Sequence, residues 1–297
     1  MNIRTGTLAV VGRPNVGKST LTNRLVGAKV SITSKKAQTT RHRVRGILTA
    51  DVGGDDCQFV FVDTPGFQMQ HKNALNRLMN RSVTQTLADV DVVLFLIEAG
   101  RWSGSEREIV RLLPPGRPVL LVINKVDLLA DKTQLLPFIE RVAKEHDFAE
   151  IVPLSAEKGH GMDVLLKAAA PYLAEAPHMF AADDITDRPE RFLAAETLRE
   201  KLFRNLGEEL PYGIAVEIEK FEQEGELRRI YAAVIVDKAA HKAIVIGKGG
   251  ERLKRMSSDA RKDMEKLFGG KVWLETWVKV KSGWADDERA LKTLGYE

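Results

Sequence analysis

At 297 residues, with 44% hydrophobic and 29% charged, the chain has material for more than one core and lacks the bias of a disordered or fibrous protein. The formal charge of +4 is mild, and the longest apolar run, residues 92–97, falls far short of the roughly 20 residues that a membrane helix needs. One cysteine, Cys57, excludes an internal disulfide, the six histidines lack metal-ligand spacing, and a strand-like run starts almost at once, so a cytoplasmic protein without a signal segment is expected.

Up to about residue 175, the runs LAVVG, FVFVDT, VVLFLI, VLLVIN and IVPLS have strand length. Helix-period segments at 19–26, 105–113 and 133–146 alternate with them. This alternation predicts an α/β domain, residues 1–175, with a mostly parallel sheet covered by helices and ligands at the carboxyl ends of its strands. Residues 176–189 carry prolines and no sustained period and are expected to be a linker. A smaller α+β domain, 190–297, should follow: a helix at 190–206, strands at 214–221 and 228–236, and a further strand at 243–246 leading into VIGKGGERLKRM. A helix through Leu253, Met256, Ala260 and Met264 comes next, then a strand at 271–281 and a short C-terminal extension.

Charge is segregated in the second part. Residues 238–281 hold 12 basic against 5 acidic residues, while acidic residues crowd the rest. Such a segment fits an anionic partner on one face; a solvated helix face is the alternative.

Gly12-x4-Gly17-Lys18-Ser19 follows a strand and opens a helix, the setting of a phosphate-binding loop. Glycines let backbone N–H groups converge on phosphate, Lys18 would reach the β- and γ-phosphates, and Ser19 would ligate Mg2+. Asp63-Thr64-Pro65-Gly66 follows the next strand, with Asp63 placed for the metal and the Gly66 N–H for the γ-phosphate. In Asn124-Lys125-Val126-Asp127, the Asp127 carboxylate can accept from N1–H and the 2-amino group of guanine. Adenine lacks the 2-amino group and would leave that acceptor unpaired. Ser155-Ala156 fits the loop whose backbone meets the guanine oxygen. The nucleotide site is thus expected to comprise Gly12, Asn15, Val16, Gly17, Lys18, Ser19, Thr20, Asp63, Thr64, Pro65, Gly66, Asn124, Lys125, Asp127, Ser155 and Ala156. These elements, in this order, resemble the GTP-binding domain of translation-factor-related GTPases.

By that resemblance a threonine in SKKAQTTRHRVRG should ligate Mg2+ only with GTP bound; Thr40 is chosen over Thr39. The expected metal set is Ser19, Thr40 and Asp63, and the expected catalytic set Lys18, Asn15, Thr40 and Gly66. Phe67 stands where Ras-like enzymes keep a water-orienting glutamine, with Gln68 a weaker substitute. Basal turnover should therefore be slow, on the order of 10⁻⁴ to 10⁻² per second. Asn15 resembles the P-loop asparagine that holds K+ in place of an arginine finger; shaping the loop is its other reading.

Gly247-Lys248-Gly249-Gly250 lacks the P-loop spacing. Followed by a basic amphipathic helix, it resembles the GxxG loop of a bacterial-type (type II) KH domain, which clamps about four single-stranded nucleotides. Ile246, Gly247, Lys248, Gly249, Gly250, Arg252, Lys254 and Arg255 are its expected RNA contacts. Trp273 and Trp277 share a strand face with Lys279 and Lys281. Packing against Trp284, Leu291 and Leu294 is preferred for them over base stacking.

Together GRPNVGKS, KAQTTRHR, DTPG, NKVD, SAEKG, ITDRPERFLAAE and VIGKGG span essentially the whole chain and closely resemble the Era family of bacterial GTPases. The resemblance implies a monomeric, Mg2+-dependent GTPase cycling between GTP and GDP, with K+ as a further candidate ion. It implies binding to small-subunit rRNA near its 3′ end during assembly of the 30S subunit, and peripheral contact with the inner face of the cell membrane. Two other readings remain open: an RNA-binding assembly chaperone for which GTP is a conformational ligand, and a signalling GTPase with a protein partner.

Overall fold

The computed structural model describes residues 2–34, 36, 39–67, 74–207 and 210–296. They form two compact units. One contains the described residues of 2–31, 40–67 and 79–187, the other those of 32–39, 74–78 and 188–296. No described helix is long and apolar enough to cross a membrane.

In the first unit, β1 (Ile3–Gly12), β3 (Asp55–Asp63), β4 (Val92–Glu98), β5 (Val119–Asn124) and β6 (Glu150–Pro153) run parallel. β2 (Val44–Val52) pairs antiparallel with β3 through the Gly53-Gly54 turn, giving the order β2-β3-β1-β4-β5-β6. β4 and β5 are buried along nearly their whole lengths, because helices lie on both faces of the sheet; hence their unbroken apolar runs. The helices are α1 (Lys18–Val26), α2 (Ala74–Asp89, of which residues 79–89 belong to this unit), α3 (Gly104–Val110), α4 (Leu135–Val142) and α5 (Met162–Ala169). One core joins Leu8, Leu21, Phe59, Leu94 and Leu165, and the other joins Val11, Val83, Phe95, Leu121 and Phe138.

Residues 174–187 run along this unit rather than away from it. Ala174–Glu175 forms β7, antiparallel to β1. Buried Gln58 donates to the Phe180 carbonyl at 2.9 Å and accepts from the Met179 and Phe180 N–H groups at 2.8 and 3.0 Å. The Ile47 N–H donates to the Ile185 carbonyl, and Arg45 pairs with Asp187 at 2.7 Å.

The second unit is built from α6 (Glu190–Asn205), β8 (Ile214–Glu224), β9 (Leu227–Val236), α7 (Ala239–Ile246), α8 (Glu251–Phe268), β10 (Lys271–Val280) and α9 (Glu288–Thr293). Its sheet runs β10-β9-β8, with β9 and β10 parallel and β8 antiparallel to β9. α6 and α8 bury Leu198, Leu202, Met256, Ala260 and Met264 against Ile230, Ala232 and Val234. The strand expected at 243–246 is instead the end of α7. Of its β-branched residues Val245 is fully buried while Ile244 is 45% exposed, which suits a helix with a single residue turned to the core. The GxxG loop therefore joins two helices.

Candidate functional site

The phosphate loop leaves β1 through backbone that side chains disfavour. Gly17 has φ +102°, and a Cβ there would come within 2.3 Å of the Asn124 amide; at Gly12 it would meet the Leu96 carbonyl at 2.4 Å. Val16 is buried, Thr20 half-buried within α1, and Asn15 exposed with φ +65°. Lys18 is 6% exposed and donates to the Gly12 and Arg13 carbonyls at 3.1 and 2.9 Å. Burial lowers its pKa to about 8, against the opposing field of Asp63.

The three expected metal-ligand oxygens come together. Ser19 Oγ lies 2.8 Å from Thr40 Oγ1 and donates to Asp63 Oδ2 at 2.6 Å, and Thr40 Oγ1 donates to the same oxygen at 3.4 Å. Ser31 also donates there, at 2.5 Å, a contact that sequence reasoning missed because Ser31 belongs to no motif. Asp63 Oδ1 is buried with no hydrogen-bond partner, and burial raises the carboxyl's pKa. An orphaned carboxylate oxygen beside two hydroxyls is a donor set suited to a hard cation such as Mg2+. Thr64 donates to the Val10 carbonyl at 2.8 Å and Pro65 is buried. A Cβ on Gly66 would sit 3.1 Å from Pro14, so this loop lies against the phosphate loop. Phe67 packs on the apolar core; Gln68 lies outside the described residues.

Asn124 is the joint of the base-binding end. Its Nδ2 donates to the Val16 carbonyl at 2.8 Å, and its Oδ1 accepts from the Lys125 and Ala156 N–H groups at 2.8 and 2.9 Å. The phosphate loop, the β5 loop and the β6 loop thereby share one buried side chain. Lys125 has φ +65° and pairs with Glu98 at 2.9 Å. Asp127 Oδ1 is buried without a hydrogen-bond partner, so an acceptor is free for a ligand donor. Ser155 is fully buried, and its Oγ accepts from the Lys158 N–H at 3.2 Å.

In the second unit, Gly247 has φ +73°, and a Cβ there would strike the Arg252 side chain at 2.7 Å. Around Gly249 and Gly250 there is open space. A groove of about 440 Å³ opens between α8 and β10, lined by Gly250, Leu253, Lys254, Ser257, Ser258, Arg261, Leu274, Glu275 and Thr276. Among the expected RNA residues Gly250 and Lys254 line it. Ile246, Gly247, Lys248, Gly249, Arg252 and Arg255 do not, and Arg252 instead donates to the Ile244 carbonyl at 2.9 Å. Ser257, Ser258, Arg261 and Thr276 were missed; one helical period beyond Lys254 points to Ser257 and Ser258, and a second to Arg261.

The tryptophans also depart from expectation. Trp273 is 39% exposed, edge-on to Tyr231 at 5.1 Å, and Arg229 lies over its ring. Trp284 is the buried one, stacked on Tyr296 with its Nε1 donating to the Gly213 carbonyl.

A P-loop guanine-nucleotide domain followed by a type II KH domain is the class this architecture defines. Residues 7–125 match the family described as 50S ribosome-binding GTPase, and residues 209–285 match the KH domain family. The chain is 58% identical to GTPase Era of Nitrosomonas eutropha, over 99% of this chain and 98% of that one. It is likewise 58% identical to GTPase Era of Chromobacterium violaceum, over 98% and 97%. Two solved structures superpose with a TM-score of 0.94 at 41% identity, covering 99% of both chains. One is a variant of Aquifex aeolicus Era bound to GDP and AlF4⁻; the other is Era in complex with MgGDPNP and nucleotides 1506–1542 of 16S ribosomal RNA. The chain belongs to the Era family of GTPases.

Proposed function

We propose that the chain is a GTP-driven switch that binds 16S rRNA near its 3′ end through the KH groove and acts in assembly of the 30S subunit. The observation that carries this reading is one chain holding both a guanine-nucleotide site with two orphaned acceptors, on Asp63 and Asp127, and a GxxG loop beside an open groove. The small-subunit RNA is favoured because the full-length structural relative holds that RNA.

In this reading Gly12, Asn15, Val16, Gly17, Lys18, Ser19 and Thr20 cradle the phosphates, and Thr64, Pro65 and the Gly66 N–H close over the γ-phosphate. Asn124, Lys125, Asp127, Ser155 and Ala156 select guanine. Ser19, Thr40 and Asp63 would hold Mg2+, which when bound offsets charge developing on the β- and γ-phosphates. Phe67 packs into the core and supplies no group to orient water, so unassisted turnover stays slow. A K+ beside Asn15 would add positive charge where an arginine finger is lacking. Ile246, Gly247, Lys248, Gly249, Gly250, Arg252, Lys254 and Arg255 meet the RNA backbone, and the bases lie in the groove. The same reading makes the protein a cytoplasmic monomer with peripheral contact at the inner membrane face.

Replacing Gly249 by Asp tests the RNA arm. An Asp Cβ there meets open space and Asp tolerates a positive φ, so the fold should survive while a carboxylate faces the RNA phosphates. RNA binding should be lost with GTP binding intact; unchanged RNA affinity would favour a protein partner.

A further inference from the structure

Residues 155–161, SAEKGHG, form the loop after β6 that is expected to meet guanine. A pair of backbone hydrogen bonds closes it: the Ser155 N–H donates to the His160 carbonyl and the His160 N–H to the Ser155 carbonyl, both at 3.1 Å. Between those bonds the chain turns through Gly159, at φ +75°. Arg24, in the last turn of α1, reaches across to this loop within the same unit. Its Nε donates to the Ala156 carbonyl at 3.2 Å and its Nη2 to the Glu157 carbonyl at 2.6 Å. The side chain lies beside Gly159, where an added Cβ would stand 3.6 Å from Arg24 Cδ.

An exposed arginine at the end of a helix ordinarily serves that helix, by placing charge near its negative end. The Arg24 hydrogen bonds go elsewhere, and α1 ends on Gly27, at φ +77°, whose N–H donates to the Asn23 carbonyl at 3.0 Å. Gripping two successive carbonyls of the base loop has a geometric consequence. A trans peptide points its C=O and its N–H in opposite directions, and no cis peptide occurs among the described residues. Fixing the Ala156 carbonyl therefore turns the Glu157 N–H to the side away from Arg24. Holding the Glu157 carbonyl sets the next peptide plane as well, so neither plane is free to rotate. The Glu157 N–H has no acceptor among the described residues, whereas the Ala156 N–H already donates to Asn124 Oδ1 at 2.9 Å.

We propose that Arg24 is a positioning residue for base selection: by holding the Ala156 and Glu157 carbonyls it keeps the Glu157 N–H turned to the 6-oxygen of guanine. The proposal rests on the guanine reading of Asp127 and adds to it the contact at C6. Asp127 accepts from the N1–H and 2-amino donors, whereas the 6-oxygen is an acceptor and needs an N–H. Adenine carries an amine at that position, which would meet the Glu157 N–H donor to donor. α1 holds Lys18 and Ser19 in its first turn and Arg24 about 9 Å further along its axis. One helix thus ties the phosphate end of the site to the base end.

The test is competition binding of GDP, inosine diphosphate and 6-thioguanosine diphosphate to the full chain, wild type and carrying Arg24→Met or Arg24→Lys. Arg24 is exposed, so both variants should fold. Inosine lacks the 2-amino group but keeps the 6-oxygen. 6-Thioguanosine keeps the 2-amino group and N1–H but offers sulfur, a weak acceptor, at position 6. Arg24→Met should weaken GDP and inosine diphosphate alike, about fivefold, the loss expected for one hydrogen bond left unaligned. It should leave 6-thioguanosine diphosphate within about twofold, so the preference for the 6-oxygen shrinks while that for the 2-amino group is kept. Arg24→Lys retains the charge but not the fork and should lose part of the same preference. Equal losses for all three nucleotides, or unchanged affinities in Arg24→Met, would overturn the proposal. A wild-type chain that bound ADP as tightly as GDP would instead overturn the guanine reading beneath it.

Discussion

Lys18 illustrates how one buried charge sets a binding profile. In the nucleotide-free protein its pKa is lowered to about 8 from 10.5. A folded pKa below the unfolded one means that the unfolded chain binds more protons between these values. Burial of Lys18 therefore opposes folding at neutral pH, and that cost fades as pH rises from about 8 to about 10.5. Triphosphate binding favours the charged ammonium, so GTP affinity should fall once pH passes about 8 and binding there should take up a proton. Titration calorimetry in buffers of different ionisation enthalpy measures this uptake; no uptake at pH 8.5 would refute it. Asp127 makes a sharper case. Its free acceptor suits the N1–H and 2-amino group of guanine, whereas the amide of Asp127→Asn matches xanthine, which has a carbonyl at C2. The variant should lose GTP by about a hundredfold or more and gain xanthosine triphosphate, as competition binding would report.

At the scale of elements, what was legible depended on whether apolar periodicity carried the element. β1, β3, β4, β5 and α8 were, because buried strands and an amphipathic helix leave unbroken or 3.6-spaced apolar residues. The course of 174–187 was not, since it is held by Gln58 and backbone hydrogen bonds that reach across more than a hundred residues of sequence. α7 was misread as a strand because Ile244, Val245 and Ile246 look β-forming, while the position of Val245 in the core is a tertiary fact. The tryptophans follow the same logic: burial, not residue type, decides their weight. Trp284→Ala should destabilise the second unit by about 3–5 kcal/mol, whereas Trp273→Ala, on the open sheet face, should cost about 1 kcal/mol or less. Guanidinium denaturation of the two variants compares these directly, and similar losses would contradict the assignment. The residues of the candidate nucleotide site could be picked out by motif, because a phosphate or guanine ligand would impose fixed spacings, and the structure brings Ser19, Thr40 and Asp63 together. The contacts of Ser31, Thr33 and Thr39 were not legible, because they arise only on folding.

For the molecule as a whole, both glycine loops follow one rule: backbone must come close to phosphate. In the proposed function the first closes on a nucleoside triphosphate whose γ-phosphate would be sensed through Thr40, and the second opens beside a groove of about 440 Å³ that would take the bases. A switch of this kind earns its place only if occupancy of the groove changes what happens to GTP. The most direct measurement is single-turnover GTP hydrolysis in K+ and Mg2+ buffer, with and without an oligonucleotide copying the 3′ tail of 16S rRNA. The account predicts clear stimulation by the RNA, lost in the Gly249→Asp variant. An unchanged rate with RNA demonstrably bound would contradict it and leave two independent modules on one chain.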